Sequence, residues 1–567
     1  MRSGTPALVI AGAVCLQTVF AGLVLAGLGA PLSWEDEADT AMFGRRILEY
    51  GYPKVHDPRN TVYGVHHPLE LGVHERLDAY LGSPWAQYYF AAPAVAWSDA
   101  ADDLSLRTWR VRLPFAIAGW LGVLLLGAVG ASLWPAAAGE RARFWLGFAV
   151  CLVLSVSLQL HLREVRYYPL VVLGIAVVAW LETRRHVRTD LPPLLHTLLL
   201  APVLWCLFNL FYPAFAAVAA AAGCGLARQA IRSRAPLRTR VVDLASGAAP
   251  YLLASAAVLP LVAFYKVLAQ SRSFFEVFGG PEHTPIRQLG AASGYLLRFE
   301  FLLPAAVGAL ASVVARRGAG SVGRDVRVLL GTCDLLLWFA ALWVALIALT
   351  PLFFTRYLVP LSPVICGLCV LQAGGLLALR RTAARRPAEA GLVAIAVALA
   401  GASVVRAPEL RGRWAELREP YRGPLDHVIP YLAESYPNPA ELVIATNYED
   451  VSYMFYLGAT TTLGFYAPDR VRDLAIVPDV IIPRPWPVNL SALEHLAAQK
   501  SYIGREFPVA NVRVNNLPEL SPRNQSGLVH RFRSPVVGTD GAALVIGERQ
   551  APQGSEAQPS EDRKDQR

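Results

Sequence analysis

The stretch Pro31–Pro53, PLSWEDEADTAMFGRRILEYGYP, decides how the rest of this 567-residue chain is read. It follows residues 7–30, an almost wholly apolar run long enough to span a bilayer. Glu35, Asp36 and Glu37 come directly after Trp34, and Asp39 follows two residues on. Carboxylates at a bilayer surface are costly to place and can serve as base, metal ligand or both. The plainer alternative is the acidic first turn of a surface helix, favoured by the helix dipole. Beyond the acids, Met42, Phe43, Ile47 and Tyr50 recur at helical spacing, with Arg45, Arg46 and Glu49 between them. A second aromatic stretch, Pro84 to Phe90 and on to Trp97, suits the headgroup region. Two helices lying on the membrane surface are expected within residues 31–110.

Composition points the same way. The chain is 54% hydrophobic and 17% charged, where soluble domains carry roughly 25% charged residues. Its mean hydropathy is +0.38. Apolar runs fall near 7–30, 111–133, 144–161, 167–181, 191–208, 211–227, 244–264, 299–315, 328–350, 357–379 and 388–405. About eleven transmembrane helices are therefore expected, some of them short. The first run exceeds the core of a secretory signal, so it reads as a retained anchor.

The net charge of +9 sits in short loops: Arg141 and Arg143, Arg184 to Arg188, Arg228 to Arg240, Arg316 to Arg327, and Arg380 to Arg386. That is a positive-inside pattern with one phase. It excludes nucleic acid as the partner and expects a multi-pass protein of the cell membrane. The N-terminus is then cytoplasmic, with residues 31–110, 265–298, 351–356 and everything after 406 outside. All seven cysteines lie in apolar runs, so no disulfide framework is expected. Asp334, near the inner end of its run, reads as interfacial or paired, and not as catalytic.

Residues 406–550 change character. Strand-like runs occur at 442–446, 475–477, 480–482 and 543–546, with helical patterns at 425–436 and 491–499. A small α/β domain outside the membrane is expected there, followed by a disordered polar tail at 551–567. The fold class is thus a polytopic α-helical membrane domain, residues 1–405, carrying a C-terminal extracytoplasmic α/β domain.

Several groups share the predicted outer face. They include Glu35-Asp36-Glu37, His66-His67-Pro68-Leu69-Glu70, the segment His161 to Tyr168 holding Arg163, Glu164 and Arg166, Asn209 with Tyr212, and Arg356-Tyr357. Arginines avoid that face unless something holds them, and a guanidinium pairs well with phosphate. The competing reading is that they snorkel to headgroups or pair with the acids. Adjacent His66 and His67 point in different directions, so at most one belongs to a site.

These residues, in this order, resemble the polyprenyl-phosphate-sugar-dependent glycosyltransferases of the GT-C superfamily. The likeness is to the bacterial branch of lipid A aminoarabinose transferases and relatives of protein O-mannosyltransferases. It covers roughly residues 1–405. Asp36-Glu37-Ala38 running into Gly44-Arg45-Arg46-Ile47 is similar to the first-loop acidic motif and its amphipathic helix. Arg112-Leu113-Pro114, Arg163-Glu164-Val165-Arg166-Tyr167-Tyr168 and Arg356-Tyr357-Leu358-Val359-Pro360 resemble later motifs. Asn209-Leu210-Phe211-Tyr212 stands where relatives often carry histidine before an aromatic, and the first-loop lysine of some relatives has no counterpart.

The resemblance implies an inverting transfer of a sugar from a polyprenyl-phosphate donor to an acceptor hydroxyl on glycan, lipid or protein. Asp36, with Glu37, is the expected catalytic pair. Arg356, Tyr357, Arg163 and Arg166 are expected to bind the donor phosphate. Glu35, His67 and Glu164 are candidates for acceptor or divalent-metal contacts, with no metal assigned. Deleting residues 407–567 is expected to spare donor binding and to reduce transfer. Two other classes stay open: a transporter or flippase of lipid-linked sugars, and a non-catalytic receptor using residues 406–550 as a ligand module.

Overall fold

The computed structural model describes residues 4–62, 72–136, 141–278, 284–320, 322–350, 353–465, 470–499, 501–520 and 529–550. In chain order the first helices are α1 Gly4–Leu25, α2 Glu35–Tyr50, α3 Ala86–Asp99, α4 Leu104–Leu133, α5 Arg141–Val153, α6 Val156–His161 and α7 Tyr167–Thr183. A short antiparallel hairpin, β1 Val73–His74 with β2 Ala79–Tyr80, lies between α2 and α3. Next come α8 Pro193–Leu210, α9 Tyr212–Arg232, α10 Leu237–Phe264, α11 Val267–Phe278, α12 Pro285–Phe299 and α13 Leu302–Gly318. Then follow α14 Arg324–Ala348, a 3₁₀ turn Thr355–Leu361, α15 Ser362–Leu379 and α16 Arg385–Arg418.

Among the described residues eight helices are long and apolar enough to cross a membrane: α1, α4, α8, α9, α10, α14, the turn at Thr355 continued by α15, and α16. The expected eleven are not reached by length. Helices α5, α7 and α13 have 13, 17 and 17 residues, where a perpendicular crossing takes about 20. Run 144–161 breaks at Ser155, whose side chain caps α6 and ends the preceding turn. Helices α12 and α13 meet at 91°, so α12 lies across the direction of the span that follows it. Asp334 takes Arg228 and Arg316 at 3.0 Å each, which is the pairing its sequence position suggested.

Both expected helices of the first loop are present as α2 and α3, and they pack closely. A Cβ on Gly44 would sit 3.2 Å from the Ala91 backbone. Phe43 stacks on Tyr80 with ring centroids 4.6 Å apart. Gly51, with φ +83°, closes α2 in a conformation that glycine adopts without strain. Helix α4 starts at Asp103, whose carboxylate accepts the Leu106 N–H.

The C-terminal domain is built on α17 Pro424–Ser435, β3 Val443–Thr446, α18 Asp450–Leu457, β4 Thr460–Leu463, α19 Arg470–Ala475, β5 Val480–Ile482, α20 Leu490–Gln499, β6 Tyr502–Ala510 and β7 Ala543–Arg549. Its sheet has the order β4-β3-β5-β7-β6; β3 is parallel to both neighbours and β7 antiparallel to both of its own. Helix α16 runs through residue 405 and ends at Arg418. The tail 551–567 lies outside the described residues.

Strands expected at 442–446, 480–482 and 543–546 are present as β3, β5 and β7. The one expected at 475–477 is not a strand. Those residues end α19, with the Ile476 N–H donating to Asp473 O, and run into Pro478, which disfavours continued helix before it. Strands β4 and β6 were not anticipated, and both are edge strands. Their polar or exposed residues, Thr460-Thr461-Thr462 and Gly504-Arg505-Glu506, lack the apolar run of a central strand.

The domain is fastened to the membrane part at the end of α18. Arg45 and Arg107 share Asp99 at 2.6 and 3.1 Å and donate to Phe455 O and Tyr456 O, where the helix dipole favours cations. Within the bundle, α4 meets α7 at Gly122, where an added Cβ would lie 2.7 Å from the Leu173 backbone nitrogen. Gly122→Ala is therefore expected to destabilise by about 1–3 kcal/mol. Thermal unfolding in detergent should show a lowered midpoint for Gly122→Ala. Gly223→Ala, where a Cβ meets nothing within 4 Å, should leave it unmoved.

Candidate active site

Chain emerging from α1 is gripped before it forms α2. Leu32 N donates to Asp426 Oδ1 at 2.7 Å, and Ser33 N to the Tyr456 hydroxyl at 2.9 Å. Ser452 Oγ returns a bond to Ser33 O at 3.0 Å. Trp34 is the N-cap, so Glu35, Asp36 and Glu37 form the first turn. Successive helical positions diverge by about 100°, and the three carboxylates accordingly reach three different surroundings.

Glu37 points inward and is 1% exposed. Arg112 meets it through two bonds, Nε–Oε1 at 2.9 Å and Nη2–Oε2 at 2.5 Å, and Val165 N adds a third at 3.1 Å. The same guanidinium donates to Leu28 O and Pro31 O, at 3.0 and 2.7 Å. Glu37 thus ties α2 to α4, to the chain leaving α1 and to the turn before α7.

Asp36 keeps a 27% exposed side chain and faces two guanidinia. Its Oδ2 lies 3.1 Å from Arg356 Nη2 and 3.4 Å from Arg166 Nη2. Arg166 is steadied by Asp36 O and Thr40 Oγ1, both at 3.2 Å, and has Asp39 at 3.9 Å. Arg356 is sandwiched by the Phe354 ring at 4.0 Å and the Trp34 ring at 5.4 Å. The Nε of each arginine and the hydroxyl of Tyr168 are shielded from solvent without a hydrogen-bond partner. Unsatisfied buried donors beside a carboxylate suit an oxyanion ligand, and two arginines with a phenol suit phosphate.

Glu35 turns toward the C-terminal domain. Burial, then the neighbouring Asp450 and Glu449, hold its carboxyl well above the usual range. One of its oxygens is shielded and unpartnered. Asp39 is pushed up to about 8, chiefly by burial and further by Asp36 and Asp450, with Arg166 opposing. Asp450 is raised to about 6 by burial. The acidic cluster therefore carries less negative charge at neutral pH than its composition suggests.

Of the expected phosphate ligands, Arg356 and Arg166 converge on Asp36. Tyr357 neighbours them, packed between Phe211 and Phe354 at 5.4 and 5.5 Å. Arg163 does not join the cluster: its guanidinium donates to Ala26 O at 3.0 Å and Gly27 O at 3.4 Å, closing the end of α1. Glu164 pairs with His161 Nδ1 at 2.7 Å inside the protein, apart from Glu35. His67 lies outside the described residues. No group of three His, Cys, Asp or Glu side chains converges as a metal site among the described residues.

Two participants escaped the sequence reading. Arg112 was noted as part of a motif without a partner, and its pairing with Glu37 spans 75 residues. Glu519 meets Arg356 from the C-terminal domain, 163 residues away. Nothing in the run Asn515-Asn516-Leu517-Pro518-Glu519 signals that contact.

No protein-family profile matches the chain, and no curated protein matches it in sequence. Its likeness is to solved structures. ArnT from Cupriavidus metallidurans bound to undecaprenyl phosphate superposes with a TM-score of 0.50 at 13% identity, over 97% of this chain and 99% of that one. The apo state of ArnT gives 0.48 at 13% identity, over 96% and 98%. An oligosaccharyltransferase from Archaeoglobus fulgidus, tethered with an acceptor peptide, gives 0.44 at 11% identity, over 87% and 69%. At such identities the likeness concerns fold, and the ArnT superposition extends through both the membrane part and the C-terminal domain. The chain is a multi-pass membrane protein with the GT-C fold that its first-loop and arginine motifs led us to expect.

Proposed function

We propose that the protein is an inverting glycosyltransferase that moves a sugar from a polyprenyl-phosphate donor to an acceptor hydroxyl at the outer face of the cell membrane. The observation that carries this reading is the placement of Asp36, a partly exposed acid of the first turn, against Arg356 and Arg166. The unpartnered Nε groups and the Tyr168 hydroxyl supply further donors for a phosphate. The GT-C fold of a protein solved with undecaprenyl phosphate bound agrees with a lipid-phosphate donor.

In the resting arrangement Asp36 occupies the arginines. An incoming donor phosphodiester competes for them and frees the carboxylate. Asp36 then takes the proton of the acceptor hydroxyl as its oxygen attacks the anomeric carbon from the face opposite the phosphate. The bond from that carbon to the phosphate oxygen breaks, and its electron pair stays on the departing lipid phosphate. Arg356 and Arg166 stabilise that growing charge. Asp36 loses one negative charge as the phosphate gains one, so the total charge beside the two arginines is unchanged through the step. The C-terminal domain, residues 406–550, lies over the acid cluster through Asp450 and Glu449 and can shape the acceptor side.

Purified protein in nanodiscs, given a panel of radiolabelled polyprenyl-phosphate sugars and a membrane glycolipid extract, tests the reading. Wild type is expected to move label, and Asp36→Asn to bind donor while transfer falls by about 10²–10⁴-fold. Label moving equally in both would remove Asp36 as base. Donor bound by wild type with no transfer would bring forward the transporter reading, which needs the arginines and no base.

A pH series gives a second check. Below about 8 Asp39 is neutral and leaves Arg166 free for phosphate; above it the new carboxylate competes for that guanidinium. Donor affinity in wild type is expected to weaken as pH rises through about 8, and Asp39→Asn should flatten that fall.

A further inference from the structure

The Glu519 carboxylate sits at the foot of Arg356 and takes three donors from one short stretch. Arg356 Nη1 reaches Oε2 at 3.1 Å, and Arg356 N reaches Oε1 at 3.3 Å. The Thr355 hydroxyl also donates to Oε1. Glu519 is 3% exposed, and its partner Arg356 is 6% exposed. Arg356 therefore bridges two carboxylates, with Nη2 on Asp36 of the first loop and Nη1 on Glu519 of the C-terminal domain.

Glu519 is itself firmly placed. Asn515 N donates to Glu449 Oε1 at 2.7 Å, and the Tyr421 hydroxyl donates to Asn515 O. Asn516 is bonded both ways with Arg531, at 2.9 and 3.0 Å. His530 N donates to Glu519 O at 2.8 Å, and Leu517 packs with Trp34 and Tyr448. The strand-to-strand connection carrying Glu519 is thus pinned on both sides.

Two different tasks fall to the two carboxylates on Arg356. Asp36 must leave the guanidinium for phosphate to arrive, and it ends the step protonated. Glu519 is buried and bonded to both the side chain and the backbone of Arg356, so its hold does not depend on Asp36. A guanidinium released by Asp36 without that hold could follow the phosphate or swing away along its four rotatable bonds. Misplacement of a charge-stabilising group by about 1 Å is enough to cost about 10²-fold in rate.

We infer that Glu519 is a positioning residue of the transfer site, so that the C-terminal domain completes the arginine end of the site as well as covering the acid end. The inference rests on the glycosyltransferase reading for its kinetic test and on geometry alone for its binding test. It also gives a physical reason for the reduced transfer expected of a chain lacking residues 407–567, since that deletion removes the support of Arg356.

The experiment uses full-length protein in nanodiscs with Glu519→Gln, Glu519→Asp, Arg356→Lys and the Glu519→Gln/Arg356→Lys double variant. Thermal unfolding of each variant identifies any that fails to fold, and Glu519→Asp stands in if Glu519→Gln does. Glu519→Gln keeps an acceptor oxygen and loses the charge, which also removes a competitor for the phosphate. It is expected to lower kcat by about 10²-fold while donor KM stays level or falls. The double variant should be no slower than Arg356→Lys alone, because both substitutions disable one unit. A folded Glu519→Gln protein with wild-type kcat, or fully additive losses in the double variant, would overturn the assignment. A loss confined to acceptor KM would overturn it too, pointing to domain docking.

If wild type moves no sugar from any donor, the transferase reading fails by itself. Binding of undecaprenyl phosphate then tests the pair directly. Non-additive affinities of the two single variants sustain the Arg356–Glu519 unit, and additive ones sink it.

Discussion

The buried pair of Glu37 and Arg112 sets everything else in the site. Two parallel bonds at 2.9 and 2.5 Å, inside the protein, fix the rotation of α2 about its own axis. Once Glu37 faces inward, helix geometry leaves Asp36 and Glu35 no choice of direction. One turns to the arginines and the other to the C-terminal domain. Breaking such a pair by removing one partner leaves an uncompensated buried charge, commonly worth about 3–5 kcal/mol. The two backbone carbonyls held by Arg112 extend that constraint to the exit from α1.

A charge-dense site needs the low-dielectric surroundings that make its interactions strong, and it also needs those charges balanced. The structure balances them in two ways. Arg356 and Arg166 are set against Asp36 and Glu519. The remaining acids, Glu35 and Asp39, are displaced toward their neutral forms by burial and by neighbouring carboxylates, Asp450 among them. Rings of Trp34 and Phe354 flank the Arg356 guanidinium, and Tyr357 packs edge-on against Phe354. The C-terminal domain is integral to this arrangement, because Glu519, Glu449 and Asp450 all come from it.

Legibility in the sequence followed physical range. The long helices of the membrane part were readable because each contains an extended apolar run, and a bilayer demands such runs of any spanning helix. Their number was less readable, since length and not hydropathy separates α5, α7 and α13 from full crossings. In the C-terminal domain the central strands β3, β5 and β7 carry apolar runs and were legible. The edge strands β4 and β6 are polar on their open side and were not. The first-loop acids were legible as a carboxylate cluster directly after an apolar run, and Arg166 and Arg356 as arginines at the face expected to be outside. Arg163 looked equivalent to Arg166 in the chain, but three positions along a turn are enough to send its guanidinium to the end of α1.

By itself the sequence determined the membrane class, the amphipathic first loop and the short list of charged groups from which a site could be made. Those follow from local hydropathy and from the cost of placing charge near a bilayer, which act over one or two helical turns. Only the tertiary structure decided how that list is divided. It made Glu37 an anchor and Asp36 the acid that faces the arginines, set Arg163 aside, and brought Glu519 across 163 residues onto Arg356. That division depends on which helix faces meet and on how the C-terminal domain docks. Each is a property of packing between distant segments, which no local pattern of residues encodes.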